Sequence, residues 1–127
     1  MDGGFCVLGH PAYLRHMPHL PNHENAIVDV RKLSDYCLNP RHPRGRHKAR
    51  VFRDSLGLSE RDALWLRDAL IEGLKAADAE LQANDRFGTR WRVDIAVRRH
   101  GAEAVVRTIW IIRTGEQQPR LVTCWVV

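Results

Sequence analysis

Long apolar runs are missing from these 127 residues. None is longer than Ile109 to Ile112, which is strand-sized and falls far short of the roughly 20 residues that a bilayer span needs. The leading stretch MDGGFCVLGHPAYLRHMPHLPNH has no early positive cluster followed by an apolar block, so a secretory leader is not expected and the cytoplasm is the expected compartment. Met17 is an alternative start within that stretch. Cysteine is also scarce. Cys6, Cys37 and Cys124 form an odd set without a CxxC pair, which argues against a disulfide framework and a thiolate zinc site, so they read as reduced and structural. Nine glycines and six prolines, scattered, are too few for a fibrous or disordered chain. His10, His16, His19 and His23 could in principle ligate a metal, but Pro11, Pro18 and Pro21 interrupt them, and no metal or cofactor is expected.

What is present is ordinary globular material, with 44% hydrophobic and 28% charged residues. That suits one domain with a modest core. The charge is unevenly placed. Between Arg31 and Arg53, eight basic residues face one acid, Asp35, a local charge of +7, whereas Glu60 to Ala83 carries six acids against three bases, or −3. A patch so positive attracts phosphate polymers by releasing their counterions, and RNA is the expected partner. A solvated basic face without a partner is the plainer alternative.

Residues 1–25 hold four histidines and three prolines without period and read as an irregular arm over the surface; residues 26–127 read as a single domain. Ala26 to Val30, with Leu33, Tyr36 and Cys37 behind it, suggests a short strand or turn of helix that stops at Leu38-Asn39-Pro40. The segment HKARVFRDSLG reads as a helix with Ala49, Phe52 and Leu56 inward and Gly57 as its left-handed stop. Ser59 and Asp62 form a capping-box pattern, after which Ala63, Leu66, Leu70, Leu74, Ala77 and Leu81 recur at steps of three and four, predicting a long helix. From Arg90 the period becomes two. Trp91, Val93, Ile95 and Val97 alternate with Arg92, Asp94 and Ala96, Ala104 to Arg113 is apolar on both faces except for Arg107 and Thr108, and Leu121 to Val127 closes the chain. The expected fold is α+β: one or two N-terminal helices on an antiparallel sheet of three or four strands, with Trp91, Val93, Ile95, Ile109, Ile111 and Phe52 in the core.

The densest chemical unit is Leu38 to Phe52, LNPRHPRGRHKARVF. Histidine titrates near neutral pH, so His42 in its Pro-bracketed loop is the candidate proton-transfer group; His47 points away from the helix's core stripe. Lys48 on the flank of that stripe, with Arg41, Arg44, Arg46, His47 and Arg50 around it, supplies cations for nucleic-acid phosphates. Arg107 is costly in so apolar a strand unless it is paired or functional. One reading pairs it with Asp94 on the neighbouring strand and lets Thr123 fill a polar gap. The other sets Arg107 and Thr123 on the sheet side of a phosphate cleft, opposite His42 and Lys48, where together they could cleave RNA without metal.

Three blocks in order, LNPRHPRGRHKARVF, WIIRTGE and PRLVTC, resemble those of a family of small uncharacterised bacterial domains, with the likeness covering residues 32–127. The layout is in turn similar to that of the barnase, EndoU, colicin and RelE-like ribonucleases. That resemblance implies a toxin-like, metal-independent ribonuclease with His42, Lys48, Arg107 and Thr123 around the scissile phosphate, and a small inhibitor or immunity protein as a further partner. Two rivals stand beside it. A DNA-reading helix-turn-helix from His47 to Gln82 is disfavoured because its second helix is net acidic. A non-catalytic RNA- or protein-binding domain would keep the cleft without the chemistry.

Overall fold

Three helices lie on one face of a five-stranded antiparallel sheet in the computed structural model, which describes residues 15–127. Cys6, His10, Pro11 and the rest of the first part of the expected arm lie outside the described residues. Helix α1 starts as the turn Val30–Lys32, where the Asp29 carboxylate accepts from the Arg31 N–H, and widens into a π-helical segment, Leu33–Cys37. Leu33 and Cys37 face inward. Helix α2, Arg46–Leu56, buries Ala49, Phe52 and Leu56, the expected stripe, and Gly57 ends it at φ 67°. Glycine, lacking a Cβ, takes that left-handed conformation at no steric cost.

A single turn, Glu60–Asp62, then leads into helix α3, Ala63–Gly73. Ser59 donates its backbone N–H (2.9 Å) and hydroxyl (3.2 Å) to the Asp62 carboxylate. Those bonds, led by the backbone one and helped by nearby Arg99, hold the Asp62 carboxyl below its ordinary range. Arg99 completes the junction by donating to the Gly57 carbonyl at 2.9 Å and to Asp62 at 3.3 Å. One sheet residue thus fixes where two helices meet.

Strand order follows chain order: β1 (His16–Met17), β2 (Ala79–Asp85), β3 (Gly88–Arg99), β4 (Ala102–Arg113) and β5 (Arg120–Val126). This corrects the expected three or four strands with one or two helices before them, although the class remains α+β. Two elements escaped the sequence pattern for physical reasons. β1 is a two-residue strand in a proline-rich stretch, too short to show alternation, and it pairs with Glu80 and Ala79. β2 was hidden inside the projected long helix, because Leu81 continues the three-and-four spacing by coincidence. The helix in fact ends after Gly73, where a Cβ would collide with the Ile95 side chain. Leu81 instead alternates with Ala79 as an inward strand residue. Leu20, within the segment read as an arm, is fully buried.

The inner face of β4 is Val106, Thr108 and Trp110, all fully buried, so Ile109 and Ile111 fall on the opposite, half-buried face and leave the expected core list. Trp91, Val93, Ile95 and Phe52 are in the core as expected. Thr108 is the buried polar residue there. Its hydroxyl donates to the Val93 carbonyl at 2.6 Å and accepts the Trp110 indole N–H at 2.7 Å. Replacing Thr108 by valine keeps the shape and strands the indole N–H, at a cost of about 1–3 kcal/mol. A denaturant midpoint equal to the parent's would show that the indole needs no such partner.

Candidate nucleic-acid interface

Where α1 and α2 reach over the β5 edge of the sheet, a cleft of about 500 Å³ opens between Lys32, Tyr36, His42, Arg44, Lys48, Val122 and Thr123. The floor follows from local folding. The buried Leu33 and Cys37 turn Tyr36 toward the loop that follows, and the Ala49/Phe52 stripe sends Lys48 to the helix flank. The Lys48 ammonium lies 3.3 Å from both the Tyr36 hydroxyl and Thr123 Oγ1. It also sits 5.0 Å from the centre of the Tyr36 ring and 5.1 Å from that of Trp125. No carboxylate pairs with it among the described residues.

His42 shapes the loop before α2. Its Nδ1 accepts the backbone N–H groups of Arg44 and Gly45, both at 3.0 Å, and its ring meets Tyr36 edge-on at 4.7 Å. An imidazole accepting at Nδ1 carries its hydrogen on Nε2. His42 therefore stands in the cleft wall as a hydrogen-bond donor, while Nδ1 organises the turn. These bonds, together with that from Arg46 N–H to the His42 carbonyl, already occupy three backbone donors at the start of α2.

Thr123 Oγ1 also lies 3.8 Å from Cys37 Sγ. The Cys37 and Cys124 thiols are both free and buried. Hydrogen bonding to Cys124, with lesser help from Thr123 and the charge of Lys48, lowers the Cys37 thiol below its ordinary range. Cys124, bonded to Cys37 and wholly enclosed, is pushed well above it.

Of the sequence candidates, His42, Lys48, Thr123 and Arg44 are brought together. Arg107 is not among the residues walling the cleft. It forks onto Asp94 at 2.9 and 3.0 Å, the paired alternative, and Asp94 makes its guanidinium still harder to deprotonate. Its register partner on β5 is Trp125, whose ring lies beneath Lys48. Arg41 is occupied by Glu60 at 2.8 Å. Arg46, His47 and Arg50 are exposed along α2. Tyr36, Lys32 and Trp125 were missed as site residues. The signal for the first two was the inward Leu33/Cys37 spacing just before the His42 loop; for Trp125 only the strand register could have shown it.

Among the described residues no helix is long and apolar enough to cross a membrane, and no three or more His, Cys, Asp or Glu side chains gather as metal ligands would. A family model described as a domain of unknown function, DUF6883, matches residues 19–127. Comparison with curated proteins and with solved structures gave no match.

Proposed function

Since the chain belongs to the DUF6883 family, a grouping whose description carries no activity, the reading must come from the cleft itself, and we propose that the domain binds single-stranded RNA by its phosphates. The observation that carries this is the Lys48 ammonium, held between two hydroxyls and two aromatic rings with no carboxylate among the described residues to neutralise it. A buried or half-buried cation is ordinarily paired. Here a phosphate is the missing counterion, and the His42 Nε2–H and Arg44 stand beside it as further donors. Exposed Arg46 and Arg50 extend the positive field along α2. Tyr36 and Thr123 offer hydroxyls that can exchange hydrogen bonds with a 2′-hydroxyl, the group that separates RNA from DNA.

Cleavage of the bound strand is the second reading, favoured by one observation: an imidazole, an ammonium and a hydroxyl share one cleft. To abstract a 2′-hydroxyl proton, His42 would need its lone pair on Nε2, which would place a hydrogen on Nδ1 against two backbone donors. The turn would have to open first, so binding ranks above catalysis. An inhibitor protein belongs only to this second reading.

Labelled single-stranded RNA, titrated with the protein in the presence of a chelator, separates these readings. Expected are a rise in anisotropy that weakens steeply with salt and RNA recovered intact. Products that persist with chelator and vanish in His42→Ala would promote cleavage. No binding at low salt would end both readings.

A further inference from the structure

A second cleft, of about 350 Å³, adjoins the first, and Lys32 and Val122 belong to the walls of both. It runs from the β5 edge onto the sheet face that the helices leave uncovered. Arg90, Ile111 and Arg120 stand side by side there across β3, β4 and β5, and Arg113 lies two residues further along β4. The same register puts Arg90 and Arg120 either side of a strand whose other face is core, so their side chains have no room to turn inward.

We propose that this second cleft is the continuation of the RNA track, holding the phosphates that flank the one bound at Lys48. The inference rests on the RNA-binding reading of the first cleft and adds the course of the strand: across Lys32, over the β5 edge and onto the open sheet face. Four cations wall the second cleft, Lys32, Arg90, Arg113 and Arg120, against one acid, Asp29. That acid is already engaged by Arg31. Arg90 and Arg120 are held in place by Asp85 and Glu116, each at 3.1 Å, whereas Arg113 and Lys32 make no ion pair among the described residues. Fixed and free cations in one groove suit a flexible backbone, which is tracked by charge rather than read by base edges. The groove bends over an edge strand, a course open to a single strand and closed to a stiff duplex.

The test compares two RNAs on the parent and on the Arg113→Gln/Arg120→Gln double variant, with thermal melts to confirm that both proteins fold alike. A dinucleotide fills the Lys48 cleft alone, and a strand of about a dozen nucleotides spans both clefts. For the variant, the longer strand is expected to bind about tenfold more weakly, with its salt slope reduced by about 1.4, at roughly 0.7 per contact on a single strand. Dinucleotide binding should be unchanged. Equal loss on both RNAs, or no loss on either, overturns the continuous track while leaving the Lys48 cleft as an RNA site. A parent that binds neither RNA overturns the first reading and this one with it. Lys32→Gln, at the shared wall, should weaken both.

Discussion

Replacing Gly45 by alanine is expected to loosen the fold and empty the cleft together. Gly45 has an ordinary backbone conformation, φ −94° and ψ −12°, so the problem is space rather than strain. An added Cβ would overlap the Tyr36 carbonyl oxygen and come within 3.2 Å of the Tyr36 ring. A flexible side chain could yield; a main-chain carbonyl at the end of α1 cannot do so cheaply. The start of α2 must then move away from α1, pulling the Gly45 N–H from His42 Nδ1 and Lys48 from the Tyr36 hydroxyl. Overpacking of this kind costs about 1–3 kcal/mol and sometimes more. RNA affinity should fall by about tenfold or more, the equivalent of some 1.4 kcal/mol in lost positioning of donors. Denaturant melts and anisotropy titrations on the same preparation measure both effects. Unaltered affinity in a destabilised variant would mean that the α1–α2 contact serves the fold alone.

That coupling explains how much could be read from the sequence. The Ala49/Phe52/Leu56 stripe, the Gly57 stop, the Ser59/Asp62 cap and the alternation from Trp91 to Val97 are local signals, each written within a turn or two of chain, and each appears in the structure. Long-range decisions are not written that way. Leu74, Ala77 and Leu81 carry a helical period across a boundary that is set by the packing of Gly73 on Ile95, a residue more than 20 positions away. Ile109 and Ile111 look as suited to the core as Val106 and Trp110; the register with β3 decides between them. At the site, the basic block and the His42 loop were legible as charge and rigid turn chemistry. The direction of His42 Nδ1 was not, because it depends on which backbone N–H groups the loop turns toward the ring. Nor was the partner of Arg107, for which Asp94 and a phosphate were equally open until the strands were paired.

Lys48→Met should separate binding from stability more sharply than any other substitution in the cleft. The methionine keeps much of the apolar stem and removes the charge. In the folded protein Lys48 has hydroxyls and ring faces as neighbours and no ion pair among the described residues. Removing the charge therefore forfeits cation–π attraction, about 0.5–1 kcal/mol at a partly exposed site. It also relieves the cost of holding an unpaired cation away from water. The two effects oppose each other, and a denaturant midpoint near the parent's is expected. Binding has no such compensation. A charge-assisted hydrogen bond to a phosphate is worth about 1.5–3 kcal/mol, so affinity for single-stranded RNA should drop by roughly 10- to 100-fold. The salt slope should shrink by about 0.7, one contact's share. Lys48→Arg should recover only part of the loss, because a planar fork cannot occupy the point midway between Tyr36 Oη and Thr123 Oγ1 that a compact ammonium fills. A variant that melts several kcal/mol below the parent yet binds RNA as tightly would make Lys48 a structural bridge between α2 and β5, and the phosphate would have to be sought elsewhere.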